Sequence, residues 1–406
     1  MTSKERMFRA LQGEQPDVVP AAPAYPGLFL ADFERAFYVE QYRLRMRGRS
    51  RYPIDHGEDT RFRVQAKYQS YGIFKTRPDW IEVGRGASRA WAERTDIVLQ
   101  DGVLCYEDKV SGGRLPMHEA ALPRGNERLA AGNRSARDRW DTSGQIQSKE
   151  QIDARLPILS ADELLARGDF DLPQQVVADY GCCYGDRYFI STILDTPFSD
   201  AYDLLGFRGL MLIQHDRPDL FHYLLERQLA KTQQVMEAWA EIGIHGVYVE
   251  EVFTGADLIS PRSYDEFVFA YNQPYFRHMS GLGLLAIHYV CGDVVPRLDR
   301  IAQLDIAAVA VEESKKSFTI EIEDVVDRVG GRVAVFGNID AVQFGIHSTM
   351  AEMAAEVKRQ IRIGARAKGF VVSTGSPFPL DTNPRLIDTL VATAHSCGTQ
   401  INADTR

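Results

Sequence analysis

Short apolar runs alternate with longer amphipathic segments through the second half of the chain. The short runs favour strands, and the longer segments repeat apolar residues every three or four positions, as helices do. The predicted strands are residues 188–194, 246–251, 284–290, 307–312, 333–339 and 370–374. Six strands that alternate with helices predict an α/β fold, a (β/α)₈ TIM barrel whose remaining strands lie earlier in the chain.

Helix signals support this pattern. Residues 218–241 read as one long amphipathic helix, Ser260 and Pro261 supply an N-cap and a first-turn proline, and Thr349 precedes another helix. The first half of the chain is less regular, with a predicted helix at 4–11 followed by a proline-rich run.

One insertion is predicted within the barrel. Residues 97–106 alternate in polarity around Asp101-Gly102, which indicates a β-hairpin. Residues 123–145 are polar and rich in arginine, so we expect a long surface loop or lid, which is either a solvated segment or an attractor of anionic substrates. We therefore predict one barrel domain over 1–406, with a hairpin and loop insertion at 96–145.

Composition narrows the function classes. The formal net charge is −9, so the phosphates of nucleic acids and acidic membranes would repel the chain. No apolar run reaches the roughly 18 residues of a membrane span, and the first residues lack a signal peptide's apolar core. We expect a soluble cytoplasmic enzyme that binds a small-molecule substrate. The sequence leaves the oligomeric state open, and a homodimer is the commonest outcome for soluble enzymes. The five cysteines are an odd number and do not suggest a disulfide framework.

Ionisable residues cluster where four predicted strands end. Reactive groups of α/β barrels lie at the carboxyl ends of the strands, so these positions are the candidate site. His288, Cys291 and Glu312 are all residue types that bind zinc, and three protein ligands with one open position describe a catalytic zinc. Residues three apart on a strand face opposite sides, so His288 and Cys291 share a metal only if the strand bulges or ends near Val290. The alternative is a buried histidine and a buried free cysteine.

Other candidates surround this set. Glu250 and Glu251 alternate in direction, so only one faces the mouth, where it would serve as acid, base or substrate anchor; a salt bridge to an arginine is the alternative. Tyr289 is either a proton-positioning residue or a core residue. Asn338 and Asp340 either bind substrate or cap the next turn.

Several segments together resemble uroporphyrinogen decarboxylase-like proteins. They are residues 2–20, 196–206, 258–261, 291–294, 336–340 and 369–375. They occur in the family's order, whereas residues 27–187 match poorly. The resemblance implies a (β/α)₈ barrel within a superfamily that includes porphyrin decarboxylases, zinc-dependent methyltransferases that work with corrinoid proteins and, more distantly, cobalamin-independent methionine synthase.

The resemblance also implies a metal site. The zinc branch carries His-x-Cys, a glutamate in some members and a later cysteine, which implies zinc at His288, Cys291 and Glu312 and a corrinoid on a separate partner protein. This chain has His-x-x-Cys instead, and Ser376 stands where the later cysteine is expected. A hydroxyl is a weaker zinc ligand than a thiolate, so Ser376 is assigned to substrate binding. The arginine-rich motif of the true decarboxylases has no counterpart near Tyr25.

Three hypotheses follow. The first is metal-assisted methyl or alkyl transfer, in which zinc activates the nucleophile, Glu250 or Glu251 acts as acid or base with Tyr289, and a corrinoid or thiol accepts the group. The second is a metal-free decarboxylase or lyase for a small carboxylated substrate. The third is a ligand-binding barrel without catalysis.

Overall fold

The computed structural model describes residues 1–118, 146–178 and 187–404, with the side chains of 398–404 excepted. The predicted loop 123–145 lies outside these residues. The strands are β1 (Arg51–Pro53), β2 (Trp80–Glu82), β3 (Thr95–Gln100), β4 (Val103–Asp108), β5 (Arg114–Pro116), β6 (Phe189–Asp195), β7 (Gly246–Glu251), β8 (Leu285–Val290), β9 (Ala308–Val311), β10 (Ala334–Phe336) and β11 (Phe370–Val371).

The helices separate these strands. They are α1 (Ser3–Gln12), α2 (Pro26–Arg45), α3 (His56–Tyr71), α4 (Arg89–Arg94), α5 (Lys149–Arg155), α6 (Ala161–Ala166), α7 (Asp171–Val177), α8 (Pro197–Asp216), α9 (Pro218–Glu241), α10 (Pro261–Ser263), α11 (Ala270–Gly281), α12 (Leu298–Ile301), α13 (Ile322–Val329), α14 (Ala341–Ile346), α15 (Met350–Gly364) and α16 (Pro384–Asp404). A π-helical turn, Tyr264–Phe269, joins α10 to α11, and a 3₁₀ turn, Val295–Arg297, precedes α12. Within the described ranges, no helix has the length and apolar character needed to cross a membrane.

A parallel sheet forms the barrel, in the order β11-β10-β9-β8-β7-β6-β2. Residues 20–22 complete the ring between its two ends. The Ala22 N–H donates to the Val372 carbonyl at 2.8 Å, and the Asp79 N–H donates to the Ala21 carbonyl at 2.8 Å. The predicted (β/α) barrel is therefore confirmed, and its closing segment is a proline-rich run that gave no strand signal.

The barrel interior and its outer layer have separate cores. Inward side chains such as Phe189, Tyr248 and Tyr289 fill the interior, while the alternate residues pack against the helices. Helix α1 closes the end where the strands begin, because Met7 packs into the interior core and Phe8 contacts Phe189 at 5.5 Å between ring centroids. The opposite end, where the strands finish, is the mouth.

The hairpin prediction is also confirmed. Strands β3 and β4 pair antiparallel with Leu99 opposite Leu104, and Asp101 and Gly102 make the turn with φ of 50° and 79°. These strands join β1 and β5 in a four-stranded sheet with its own core against α2 and α3. Asp59 lies in that core and accepts hydrogen bonds from Tyr38, Tyr42 and Arg63.

Candidate active site at the barrel mouth

Strand alternation decides which residues reach the mouth. Tyr248 and Tyr289 point into the barrel, so Glu250 and Cys291, two residues further along β7 and β8, point the same way. Glu312 follows the inward residue Ala310 in the same manner. Neighbouring strands are in register here, since Glu250 lies opposite Tyr289 and Tyr289 lies opposite Ala310.

Two further carboxyl groups join them. Glu82 ends β2 and is 9% exposed, and Asp195 ends β6 opposite Glu250. We call Glu82, Asp195, Glu250, Cys291 and Glu312 the mouth cluster. Sequence reasoning missed Glu82 and Asp195. Asp195 lies one residue beyond the predicted strand 188–194, so extending the predicted strand by one residue would have found it. Glu82 gave no signal because β2 is too short to show a period.

Glu250 and Glu312 hold their protons more tightly than free carboxyl groups do. Burial raises the pKa of Glu250, and the charges of Glu312 and Glu82 add to the rise, while Tyr25 acts against it. Burial also raises the pKa of Glu312, although the Gly292 N–H donates to its Oε2 at 2.8 Å. Gly292 has a φ of 91°, a left-handed conformation that suits glycine and turns the chain just after Cys291.

Cys291 and Asp195 show the same trend. Burial and the charges of Glu312 and Glu250 raise the pKa of the Cys291 thiol well above its ordinary value. Burial, Asp200 and Glu250 raise that of Asp195. A raised pKa keeps the proton on such groups to a higher pH than usual, which suits them to donate protons.

Three tyrosines form an aromatic layer beneath the mouth cluster. The rings of Tyr25 and Tyr248 meet edge to face at 5.3 Å, Tyr25 meets Tyr289 at 5.6 Å, and Tyr248 stacks on Tyr289 at 5.2 Å. The Tyr289 hydroxyl donates to the Gly375 carbonyl at 2.6 Å. Tyr289 therefore belongs to the core of the barrel, as one of its two predicted roles required, while its ring supports the mouth.

The structure does not bring His288 to Cys291 and Glu312. His288 points away from the interior and packs on Phe276 of α11 at 4.8 Å, and its Nε2 lies 3.1 Å from Oε2 of Glu251. In the described residues, no group of three histidine, cysteine, aspartate or glutamate side chains is placed to hold a metal ion. The predicted ligand set therefore needs correction, because β8 remains regular through Val290 and the inward residue two before Cys291 is Tyr289.

Glu251 belongs to this outer layer as well. The Asn272 amide donates to its Oε2 at 2.5 Å and the Thr254 hydroxyl donates to its Oε1 at 2.8 Å. Burial alone would raise the pKa of Glu251, but the His288 charge and these hydrogen bonds outweigh burial and lower it. Of the two adjacent glutamates, only Glu250 reaches the mouth, and we name the set Glu251, His288, Asn272 and Thr254 the outer network.

The remaining predicted residues hold loops around the mouth. The Asn338 amide donates to the carbonyls of Glu312 at 3.2 Å and Ile320 at 3.1 Å. Asp340 caps α14 by accepting from the N–H groups of Val342 and Gln343. The Ser376 hydroxyl donates to both carboxylate oxygens of Glu313, at 2.9 and 2.8 Å. Asp340 thus takes the capping role that the sequence allowed.

Comparison with known proteins identifies the family. The sequence model of the family described as Uroporphyrinogen decarboxylase (URO-D) matches residues 185–397, just over half of the chain. The uroporphyrinogen decarboxylase of Cupriavidus necator is 25% identical over 202 residues, 48% of this chain and 53% of that protein. That of Nitrosospira multiformis is 27% identical over 195 residues, 47% and 50%. The chain spans about half the length of the curated relatives it matches.

A solved structure extends the similarity to the whole fold. A methyltransferase from Methanosarcina mazei superposes with a TM-score of 0.62 at 18% identity and covers 98% of this chain and 99% of that one. At this identity the similarity shows a shared fold, including the part of the chain before residue 185. The chain belongs to the uroporphyrinogen decarboxylase family.

Proposed function

We propose that this chain is an enzyme that transfers an alkyl group from a small donor to an acceptor, with a protonated carboxyl group of the mouth cluster serving as the acid. The observation that supports this is that Glu250 and Glu312 stand at the ends of two strands of the barrel sheet, at its mouth, and that burial raises the pKa of each. The chain's family and its fold, shared with a Methanosarcina mazei methyltransferase, are consistent with this activity.

The two carboxyl groups suit one step of such a transfer. When the acceptor attacks the alkyl carbon, the electron pair of the breaking bond moves onto the leaving atom, and a nearby acid lowers the barrier by donating a proton there. Burial raises the pKa of both Glu250 and Glu312, and the charge of Glu312 adds to the rise at Glu250, so each carboxyl group holds its proton to a higher pH than a free one does. Either residue can therefore supply the proton, and solvent restores it after release.

The nucleophile comes from outside this chain. The Cys291 thiol has a strongly raised pKa, so little thiolate is present, and the thiolate is the reactive form. We therefore assign acceptance of the alkyl group to an external thiol or to a corrinoid carried by a separate protein. In this proposal, Cys291 lines the mouth beside Glu312.

The residues predicted to bind zinc are not placed to share one metal ion. His288 faces the outer layer, Tyr289 occupies the inward position before Cys291, and Ser376 donates to Glu313. A phenol that is bonded to a carbonyl is a poor substitute for an imidazole ligand. The proposed chemistry therefore contains no zinc-dependent step.

Decarboxylation of a small carboxylated substrate is the second candidate, because the family model and the curated relatives carry that description. The acidic lining of the mouth argues against it. A substrate carboxylate would need a cation to bind it, and Lys315, a nearby cation, already forms a salt bridge with Glu313.

A transfer assay distinguishes the two candidates. The purified chain is incubated with methylated oxygen, sulfur and nitrogen donors and with thiol or corrinoid acceptors, and in parallel with carboxylated substrates while released CO₂ is measured. We expect methyl transfer, and a reduction of about 10²- to 10⁴-fold in Glu250→Gln or Glu312→Gln. Glu14→Gln is the matched control, since Glu14 follows α1 at the opposite end of the barrel and its side chain is exposed. CO₂ release without methyl transfer would refute the proposal.

A further inference from the structure

We propose that Tyr25 is a positioning residue for Glu250, whose carboxylate accepts a hydrogen bond from the Tyr25 hydroxyl after the acid has given up its proton. This inference rests on the proposed function, because it takes Glu250 as an acid of the transfer. Three observations carry it: the backbone conformation of Tyr25, the environment of its hydroxyl and its place beside Glu250.

The backbone of Tyr25 is held in a costly conformation. Its φ of 48° and ψ of 53° are left-handed, which is uncommon for a bulky residue that is not glycine. The residue before a proline also favours extended backbone, and Pro26 follows directly and begins α2. Strain of this kind persists only where the surrounding structure fixes it, and it is concentrated at functional sites.

Hydrogen bonds on both sides fix this conformation. The Ala24 N–H donates to the Thr374 hydroxyl at 3.0 Å, and the Tyr25 carbonyl accepts from the Leu28 N–H at 3.0 Å. The side chain of Tyr25 is thereby directed into the barrel, where its ring is part of the aromatic layer beneath the mouth cluster. The strain therefore keeps this side chain at the mouth.

The Tyr25 hydroxyl is buried, and it makes no complete hydrogen bond within the residues that the structure describes. A buried hydroxyl without a partner is costly, and an acceptor that forms during the reaction would satisfy it. Tyr289, in the same aromatic layer, is the contrasting case, because its hydroxyl donates to the Gly375 carbonyl at 2.6 Å. The Tyr289 hydroxyl thus serves the fold, and the Tyr25 hydroxyl is available for another partner.

Glu250 is the carboxyl group that the Tyr25 hydroxyl faces. The acidic groups that act on Tyr25 are two tyrosines of its own layer, the Cys291 thiol and Glu250. Burial raises the pKa of Glu250, and Tyr25 opposes that rise as a hydrogen-bond donor. The hydroxyl is therefore placed to donate to Glu250, and it favours the charged form of that residue.

Other titratable groups also surround Glu250. The remaining four members of the mouth cluster act on Glu250 or are acted on by it, and Glu250 also acts on Tyr248. The cations Lys231 and Lys315 act in turn on acids of this cluster. All of these groups stay in place when only the hydroxyl of Tyr25 is removed, so a comparison of the two proteins isolates the effect of that hydroxyl.

The protons of the step balance. Protonated Glu250 gives its proton to the leaving atom, which has taken the electron pair of the broken bond, and Glu250 becomes a carboxylate. The Tyr25 hydroxyl donates a hydrogen bond to that carboxylate and keeps its own proton, because burial and the neighbouring acids raise its pKa. A hydrogen bond to the charged form makes Glu250 a stronger acid, and solvent later restores its proton.

Infrared titration tests the inference without turnover. The absorption of the protonated carboxyl group that Glu250→Gln removes is followed as the pH rises, in the parent, in Tyr25→Phe and in the matched control Tyr289→Phe. We expect the midpoint of this titration to rise by about one pH unit in Tyr25→Phe, because a hydrogen bond to a charged group changes acidity about tenfold or more. Tyr289→Phe should leave the midpoint unchanged.

Urea unfolding at pH 4 distinguishes this role from a structural one. Tyr25→Phe removes a hydroxyl that has no complete hydrogen bond, so we expect the urea midpoint of the parent. Tyr289→Phe breaks the bond to the Gly375 carbonyl and should lower the urea midpoint. In the methyl-transfer assay, the pH above which the rate declines should rise in Tyr25→Phe together with the infrared midpoint.

Three results would overturn the inference: an unchanged infrared midpoint in Tyr25→Phe, an equal shift in both variants, or an equal loss of stability in both. Failure of the inference is separable from failure of the proposed function. Methyl transfer with a pH profile that Tyr25→Phe does not alter would keep alkyl transfer and remove the role of Tyr25. A shifted infrared midpoint, with no transfer from any donor, would keep the hydrogen bond to Glu250 and remove the activity.

Discussion

Glu250 and Glu251 are neighbours in sequence, and the structure places them in opposite environments. Glu250 points into the barrel mouth, where burial and other carboxyl groups raise its pKa. Glu251 points into the outer layer, where His288, Asn272 and Thr254 compensate its burial and its pKa is lowered. The outer layer therefore uses a carboxylate for stability, whereas the mouth keeps carboxyl groups in a state that costs stability and provides acid chemistry.

The core between the four-stranded sheet and helices α2 and α3 holds a second carboxylate of the same kind as Glu251. Asp59 is 1% exposed and accepts from Tyr38 at 2.5 Å, Tyr42 at 2.7 Å and Arg63 at 2.6 Å. Both structural carboxylates are thus surrounded by donors and a cation. Asp59 and Glu251 are hydrogen-bonded buried acids that stabilise the fold. Glu250 has a raised pKa and is available for chemistry.

The largest expected effect comes from breaking the outer network. His288→Ala removes the ring whose Nε2 lies 3.1 Å from Oε2 of the buried Glu251, and losing one partner of a buried pair of this kind costs about 3–5 kcal/mol of unfolding free energy. We expect a loss of this size in urea unfolding followed by tryptophan fluorescence. Cys291→Ala is the matched control, three residues further along and half-buried at the mouth, and it should cost about 1 kcal/mol or less.

The same two variants test the predicted metal site. If one metal ion joined His288 and Cys291, both variants would lose it to the same extent. Because the two side chains lie on opposite faces of β8, we expect no such joint loss. Equal loss of zinc from both variants, measured by elemental analysis, would contradict the arrangement described here.

The dependence of stability on pH gives a further test of the difference between Glu250 and Glu251. Glu250 has a raised pKa in the folded state, so above the ordinary glutamate pKa the unfolded chain loses this proton first and folding is penalised. Glu250→Gln removes that penalty. We expect it to increase the unfolding free energy by about 0.5–2 kcal/mol at pH 8, with a much smaller difference at pH 4, where most unfolded chains also hold this proton.

Glu251→Gln is the opposite case. The folded pKa of Glu251 is lowered, so its contribution to stability is present above the ordinary glutamate pKa and disappears as the pH falls through the lowered value. We expect this variant to be less stable than the parent at pH 8, with a smaller difference at acidic pH. The stability of both variants is measured by urea unfolding between pH 4 and pH 8. Equal pH profiles would refute the assignment of Glu250 to the mouth and Glu251 to the outer layer.

Much of the barrel was predictable because its strands are long enough to show alternation. The prediction at 246–251 matches β7, and the helix prediction at 218–241 matches α9. The closing segment 20–22 and the three-residue strand β2 were not predictable, since a few residues carry no period and proline argues against a strand. Their place in the sheet depends on partners distant in sequence, such as Val372.

The sequence predicted which residues lie at the strand ends, but it did not predict which of them lie close together. Glu250, Cys291 and Glu312 follow from the rule that chemistry lies at strand ends, and the structure places all three at the mouth. His288 was grouped with Cys291 because the two are close in sequence, although residues three apart on a regular strand face opposite sides. The acidic character of the mouth depends on strands more than 100 residues apart, which a local motif does not contain.

The smallest expected effect concerns a third class of acid, one that caps a helix. Asp340 accepts from two N–H groups at the start of α14, at 2.9 and 2.8 Å, so Asp340→Ala should cost about 1 kcal/mol of unfolding free energy. Asp340→Asn keeps a capping oxygen and should restore most of that loss. Methyl-transfer activity should be the same in both variants, because the carboxylate is occupied by the helix. If Asp340→Asn retained stability but lost tenfold in methyl transfer, Asp340 would belong to the acidic mouth, and the distinction between structural and chemical acids would have to be redrawn at this position.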